Sequence, residues 1–549
     1  MNDRMPVGID DFQKVREGYY FVDKTDFIKD LIDSHGEVTL LTRPRRFGKT
    51  LTMSMLDWFF SAEKEKESRE LFQGLHIASD GAGYMKHRGQ YPVIFLTLKG
   101  VQNDTWQSLY DSFCLLMQSE YEQHDYLLKG SLLKPSEQAY YRRILDLTGS
   151  EADYQVSLLY LSHYLRRYYD RKTIILIDEY DAPIQCAYDH GFYDKAISYF
   201  RIWFNNALKS NASLAFAVLT GVLRIAKESI FSGLNNLKVC SVMTRMYADV
   251  MGFTPDEIKK MAQDLAMEGA LSDIQAWYDG YHFGDQDIYN PWSVINFFDQ
   301  KVLDDYWINT SGNSILNQLM LSLSDEKQQD LISLLRGESI SAMIREGIIY
   351  DEIGNDEDAL YTMLLTTGYL TPISCEKAFG GYWCELVISN REIQDVYRFE
   401  IINRYRMKLS IGRLTQMIQA LVNGRTEKFS AILAQYITYF VSAYDAAHKE
   451  SFYHDFLLGM TALFINDYEV VSNQESGYGR FDLALFPKNH QQSGVLLEFK
   501  VAAEERELEI KAVQALEQIE NKQYMTVFRK KESRKSGNMA FPFVVRKFV

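Results

Sequence analysis

Cysteine is scarce in this chain: five in 549 residues. Cys114, Cys186, Cys240, Cys375 and Cys384 are scattered, odd in number and without CxxC spacing, which speaks for a reducing cytoplasm and against a zinc site. Histidine is equally sparse, ten residues with no HExxH pairing, so no other metal site of that kind is indicated. No stretch approaches the ~18 consecutive apolar residues that a membrane helix needs, and no membrane partner is expected. Asp3, Arg4, Asp10 and Asp11 stand where a signal peptide would need an apolar core, which argues against secretion. Low-complexity linkers and repeats are also missing. Positive charge is in deficit, 59 Lys and Arg against 74 Asp and Glu, net −15. Non-specific affinity for nucleic acid comes mostly from neutralising phosphates, so the overall field is repulsive to it. The exception is a basic tail, Arg529, Lys530, Lys531, Arg534, Lys535, Arg546 and Lys547. What the chain does have is length for two or three domains and an aromatic-rich content, with 36 Tyr and 32 Phe.

Two patterns carry chemistry. The first is Arg43-Pro-Arg-Arg-Phe-Gly-Lys-Thr50, set between an apolar strand, Val38 to Leu41, and a helix-like run, Leu51 to Phe60. Its end fits the phosphate-binding loop GxxxxGK[ST] in the required strand–loop–helix context. Gly48 would let the backbone approach phosphates, Lys49 would reach the β- and γ-phosphates of ATP, and the Thr50 hydroxyl would bind Mg²⁺. Arg43 stands where the pattern has its first glycine. Arg45 and Arg46, just before Phe47 in the loop, either assist phosphate binding or mark a changed loop geometry. The matching half is Thr173-Ile-Ile-Leu-Ile-Asp-Glu-Tyr-Asp181, an apolar run that reads as a buried parallel strand ending in acids. Asp178 would bind Mg²⁺ through water and Glu179 would polarise the attacking water. Val93 to Leu98 and Leu214 to Leu219 fit the same sheet. Arg224 and Arg201 are candidate charge stabilisers, and the sequence does not choose between them.

The second pattern lies near the C-terminus. Arg480 to Phe486 reads as a strand, Pro487 to Ser493 as a turn and Gly494 to Val501 as a second strand. In an antiparallel hairpin, opposed residue numbers would sum to roughly 980 by the pairing rule, which sets Asp482 against Glu498. Lys500 points to the same face as Glu498. Two carboxylates suit Mg²⁺, which activates water, and the lysine can hold that water or the charge developing on phosphate. The plainer reading is a solvated strand pair with a weak surface ion pair.

This constellation resembles the PD-(D/E)XK nuclease superfamily, with Asp482, Glu498 and Lys500 at the D…ExK positions and Arg480-Phe481 ahead of the aspartate where the name would put Pro. The helix expected over Glu505 to Gln523 is similar to the one that follows the ExK strand in these nucleases, which implies a site role for Gln518. His454 and Glu475 are further polar positions of the likeness. Thr220, at a strand end, resembles the sensor position of AAA-type ATPases. Nearly the whole chain resembles a bacterial family of predicted AAA-ATPase-like proteins with a C-terminal PD-(D/E)XK nuclease domain, through Asp178-Glu-Tyr-Asp-Ala-Pro-Ile184, Thr220-Gly-Val222, Ile230-Phe-Ser-Gly-Leu-Asn-Asn236, Tyr278-Asp-Gly-Tyr281, Tyr289-Asn-Pro-Trp-Ser293 and Ser476 to Asp482. That family carries the arginine-rich loop as a trait.

The resemblance implies an α/β fold. An AAA-like P-loop parallel sheet would occupy residues 1–250, a helical lid and connector 251–445, and an α/β nuclease-like domain 446–549. Within the middle region Thr254, Pro255 and Glu257 form a capping box that opens a helix, Asn290-Pro291 reads as a turn with Ser293 starting a helix, and Ile348 to Val387 reads as a β-like interlude. The implied activity is ATP hydrolysis coupled to Mg²⁺-dependent cleavage of nucleic acid, DNA by default, in bacterial defence or genome maintenance. A homo-oligomer is expected if a neighbour must supply an arginine. The competing expectation is a nucleotide-dependent switch or scaffold that does not cleave, for which Arg43 in the first-glycine position is the argument.

Overall fold

The computed structural model describes residues 3–79, 82–225, 230–231, 233–307, 330, 333–334, 337–345, 347, 356–404, 411–425, 427–433, 467–476, 479–489, 494–498, 508–522 and 543–545. The chain forms two compact units, one of residues 1–312 with 340–393 and one of 313–339 with 394–549. The region 251–445, expected to stand between the two ends, is thus shared between both units.

The first unit is built on five strands: β1 (Val38–Thr42), β2 (Val93–Thr97), β3 (Thr173–Asp178), β4 (Leu214–Gly221) and β5 (Leu237–Cys240). All pair in parallel, in the order β2-β3-β4-β1-β5. Every residue of β1 and of β3 is buried. That is why both read as unbroken apolar runs rather than alternating ones, since helices cover both faces of a parallel sheet. Each buried Ile, Leu or Val there stabilises by roughly 1.5–3 kcal/mol relative to exposure. The loop-bearing strand β1 and the acid-bearing strand β3 are not neighbours. β4 lies between them, so its C-terminal end faces both.

A lid packs from residues 253–306, with Phe253, Ile258, Met261, Ile274, Tyr278, Val294 and Phe297 in one core. Met5 and Tyr20 join that core, so the N-terminal preface belongs partly to the lid. The capping box forms as expected: Thr254 Oγ1 accepts from the Glu257 N–H and Glu257 returns the bond to the Thr254 N–H. The next helix, Pro291–Gln300, is capped by Asn290, whose side chain accepts from the Trp292 N–H. Ser293 therefore lies inside the helix rather than starting it, and donates to Glu392 (2.7 Å). Beyond the short hairpin β6 (Tyr281–Phe283) and β7 (Gln286–Ile288), a three-stranded antiparallel sheet is made of β8 (Ile340–Arg345), β9 (Leu370–Ala378) and β10 (Gly381–Ile388). The expected interlude is thus interrupted by a helix, Glu357–Thr366. Its nearly continuous buried run, Ala359 to Thr366, cannot be told from a strand by periodicity.

The cysteine expectation needs correcting. β9 and β10 place Cys375 opposite Cys384, and the two form a disulfide, while Cys114, Cys186 and Cys240 are free and buried. Nine residues of sequence separation become a direct cross-strand pair once the hairpin closes. Cysteine usage therefore no longer speaks for a reducing compartment. Among the described residues no helix is long and apolar enough to cross a membrane.

The second unit contains β11 (Tyr468–Ser476), β12 (Gly479–Pro487), β13 (Gly494–Leu497) and β14 (Phe543–Val545) in that sheet order, β14 running parallel to β13. The helix Leu508–Asn521 sets Ile519 against Ala484, Phe486 and Leu496.

Candidate functional site

At the C-terminal edge of the parallel sheet, β1 runs into the loop 43–48 and the helix Lys49–Phe60 begins at Gly48, whose φ is 85°. Arg46 also has a positive φ, 69°. Arg43 does not, so this loop has no conformational need for glycine there. Its side chain is fully buried and serves as a strut. The guanidinium donates to the carbonyls of Thr42 (2.8 Å), Cys240 (3.0 Å) and Tyr247 (2.6 Å) and lies over the Phe283 ring. Burial lowers its pKa to about 10, which leaves it charged at neutral pH. The departure from the loop pattern is thus a structural substitution that ties the loop to the end of β5. It supplies no ground for a damaged phosphate site.

Lys49 is buried and its Nζ donates to the carbonyls of Arg43 (3.1 Å) and Pro44 (2.9 Å), inside the loop's own curve. Burial lowers its pKa, while Glu179, Asp178 and Asp181 pull the other way. Thr50 Oγ1 donates to Asp178 Oδ2 (2.7 Å), and Thr220 Oγ1 donates to Asp178 Oδ1. Residues 128 and 42 positions from Asp178 thereby meet on one carboxylate. They do so because β4 separates β1 from β3. The donor set of hydroxyl and carboxylate oxygens suits Mg²⁺ rather than a softer metal.

The rest of Asp178-Glu-Tyr-Asp181 divides the work. Glu179, held at φ 52°, lines the cavity described below. The Tyr180 hydroxyl donates to the Leu223 carbonyl (2.7 Å) and accepts from the Ile225 N–H (3.1 Å). Asp181 Oδ2 accepts from the N–H groups of Val222 (2.9 Å) and Leu223 (2.8 Å). Burial pushes the Asp181 carboxyl up to about 6 against those two bonds. Gly221 allows this closeness: a Cβ there would lie 2.6 Å from Asp181 Oδ1 and from the Tyr180 ring. One short motif thus carries the Asp178 carboxylate, sets Glu179 in the cavity wall and pins the segment after Thr220.

A cavity of about 430 Å³ opens over the loop, lined by residues 45–52, Glu179, the preface residues Met5, Pro6, Ile9 and Tyr20–Val22, and the lid residues Val250–Phe253 and Trp292. Arg46 sits over the Trp292 ring at 4.3 Å, a contact worth roughly 0.5–2 kcal/mol. Arg45 approaches Gln185 (3.5 Å), and its carbonyl accepts from Trp307 Nε1 (3.3 Å). Phe47 is buried against Tyr281 and Phe283, so its side chain anchors the loop to the β6–β7 hairpin. Neither Arg201 nor Arg224 lines this cavity; Arg224 faces another, of about 290 Å³, beside Val239 and Tyr382. Sequence reasoning passed over two cavity residues, Lys99 and Gln102. Their signal was available, because they follow the buried strand β2 as Glu179 follows β3.

In the second unit, Leu483 pairs with Leu497, Ala484 with Leu496 and Leu485 with Val495, so opposed numbers sum to 980. The ladder ends at that first pair; continued one step beyond it, the same register would set Asp482 opposite Glu498. Both belong to the sheet face of Ala484 and Leu496, the face that Ile519 covers. Gln518, one residue before Ile519, donates its Nε2 hydrogen to Glu498 Oε1. Asp482 and Glu498 are each half-buried. Lys500, His454 and the basic tail residues lie outside the described residues, as does the side chain of Glu475. Among the described residues no group of three or more His, Cys, Asp or Glu is placed to hold a metal. At this end the described oxygen donors are the two carboxylates, a pair that fits Mg²⁺ or Mn²⁺ in type.

Residues 6–231 match the model of the predicted AAA-ATPase family, and residues 448–541 match that of the PD-(D/E)XK nuclease superfamily. The chain thus carries an AAA-ATPase-like domain toward one end and a PD-(D/E)XK nuclease-like domain toward the other. The ATPase-like match holds the loop, Asp178, Glu179 and Thr220, but the cavity wall at 250–253 and 292 lies beyond it. The nuclease match spans Asp482, Glu498, Lys500 and Gln518. Over 541 residues the chain is 26% identical to an uncharacterized protein in the vnfD 5′ region of Azotobacter chroococcum mcd 1, covering 96% of this chain and 94% of that protein. The likeness therefore spans nearly the full length of both chains.

Proposed function

We propose that the AAA-ATPase-like domain binds and hydrolyses ATP and that nucleotide occupancy controls a Mg²⁺-dependent nuclease domain acting on DNA, in bacterial defence or genome maintenance. The observation that carries the first half is the convergence of Thr50 and Thr220 on Asp178 beside the buried Lys49. In this reading Lys49 leaves the loop carbonyls for the β- and γ-phosphates, and the loop N–H groups at the helix start receive them. Thr50 and Asp178 would hold Mg²⁺, which supplies neutralisation of phosphate charge. Glu179 takes the proton from water as that water attacks the γ-phosphorus, and Thr220 keeps Asp178 oriented. The second half rests on the β12–β13 register, which continued one step sets Asp482 opposite Glu498, and on Gln518 donating to the Glu498 carboxylate. Those carboxylates would hold a divalent cation, which supplies an activated water at neutral pH.

Purified protein incubated with plasmid, linear and single-stranded DNA and with RNA, with Mg²⁺ or Mn²⁺ and with or without ATP, tests both halves. Asp482→Ala should abolish divalent-dependent cutting and leave ATP binding intact. Equal cutting by that variant refutes the assignment.

A further inference from the structure

The cations around the nucleotide cavity are unequally committed. Lys24 is paired with Glu257 (2.6 Å) and donates to the Asp249 carbonyl (2.7 Å). Arg45 donates to Gln185 (3.5 Å), and Arg46 stacks on Trp292. Arg43 is buried away from the cavity as a strut. Arg201 and Arg224 do not line the cavity. Lys99 lines it, is exposed, and makes no ion pair among the described residues.

Its placement is fixed by the sheet. β2 pairs with β3 so that Thr97 is level with Asp178, and the chain then turns through the short helix Leu98–Gly100. The backbone at Lys99 is held on two sides. Thr97 Oγ1 accepts from the Lys99 N–H (3.4 Å), and Gln102 Nε2 donates to the Lys99 carbonyl (2.9 Å). The peptide is anchored, and the exposed side chain belongs to the cavity lining beside the strand that leads into Glu179, two strands away from the one that leads into Lys49. A long, flexible cation on an anchored backbone can follow charge that moves during a reaction.

We propose that Lys99 is a catalytic residue of the ATPase-like domain, stabilising in cis the phosphoryl group in transfer. The inference rests on the ATP-hydrolysis reading above. In the step, the oxygen of water forms a bond to the γ-phosphorus and its proton passes to Glu179. The bond from the γ-phosphorus to the β–γ bridging oxygen breaks, with its electron pair leaving on ADP, and inorganic phosphate results. Lys49 holds the phosphates in ground and transition states alike. Lys99, approaching from the β2 side, meets the γ-oxygens in the position that the phosphoryl group takes only as the bond breaks. Charge stabilisation of that kind raises turnover and leaves ground-state affinity nearly untouched. It also supplies within one chain a cation of the kind that a neighbouring subunit's arginine would otherwise provide.

The test uses the full-length protein and three measurements: steady-state ATP turnover, binding of a non-hydrolysable ATP analogue, and specific activity against protein concentration. Lys99→Ala should lower kcat by about 100-fold, leave analogue affinity within about 2-fold, and be largely rescued by Lys99→Arg. Specific activity should be independent of protein concentration. Unchanged turnover in Lys99→Ala overturns the proposal, as does an equal loss of affinity and turnover, which marks a binding or structural residue. Specific activity that rises with concentration overturns it too, since the stabilising cation then comes from a second copy. If the unaltered protein neither turns over ATP nor loses analogue binding on Lys49→Ala, the ATPase reading itself fails. That result differs from a failure at Lys99 alone, where Lys49→Ala still abolishes binding.

Discussion

Restoring the glycine that the phosphate-loop pattern asks for should damage this protein. Arg43→Gly removes the donors to three buried carbonyls, at Thr42, Cys240 and Tyr247. An unsatisfied buried group costs about 1–3 kcal/mol, so three cost roughly 6 at mid-range. Against this stands relief from burying a guanidinium, whose pKa falls from 12.5 to about 10. At 1.36 kcal/mol per pKa unit that relief is about 3 kcal/mol. Glycine's extra unfolded-state freedom adds back about 1 kcal/mol. The expected loss is therefore about 4 kcal/mol in the unit that holds the parallel sheet. With a urea dependence of about 3 kcal/mol per molar for a unit of this size, its unfolding midpoint should fall by more than about 1 M. Two units are present, so the transition is followed by a probe inside the sheet unit, such as tryptophan fluorescence of the buried Trp203 isolated by substituting the other tryptophans. Arg43→Met, which keeps the volume and loses the donors, should retain most of the effect. A midpoint for Arg43→Gly within about 0.3 M of the unaltered protein, together with tighter nucleotide binding, would show that the loop is a degraded glycine pattern and that the strut argument is wrong.

Gly221→Ala should destabilise the same unit by about 1–3 kcal/mol, as overpacked cores do, because the new methyl meets Asp181 and the Tyr180 ring; an unchanged melting temperature would refute that close packing. His124 gives a pH prediction. Burial pulls its pKa down, but hydrogen bonds with Glu120 and Glu63 outweigh this and hold it at about 9. A raised folded-state value stabilises fully below the unfolded value of 6.5, and that contribution is lost as pH rises through about 9. The stability advantage over His124→Gln should therefore be largest near pH 6, about 3 kcal/mol at most by the unit conversion, and should shrink by pH 9.5 in urea unfolding. A difference that is constant across this range would remove the charged pairing with Glu120 and Glu63.

Much of this was legible in the linear chain because its signals are local. An all-buried strand must be apolar along its whole length, so β1 and β3 declared themselves, and Gly48-Lys49-Thr50 and Asp178-Glu179 mark where those strands stop. The capping box at Thr254–Glu257 is likewise complete within four residues. Period-two geometry let the sum of 980 be stated in advance for β12 and β13, because a hairpin register depends only on where the turn falls.

What the sequence could not supply is which distant groups share a partner. That β4 lies between β1 and β3, and so brings Thr220 and Thr50 to opposite oxygens of one carboxylate, depends on strand order. The meaning of Arg43 depended on carbonyls 197 and 204 residues away. Cys375 and Cys384 looked scattered until a hairpin set them face to face. Lys99 reads as an ordinary surface lysine until its strand is placed beside the one that carries Glu179. Residue types and local periodicity determined which chemistry could be proposed for this chain. Only the packing of non-adjacent strands decided which side chains meet to perform it, because such contacts are set by long-range burial and leave no period in the sequence.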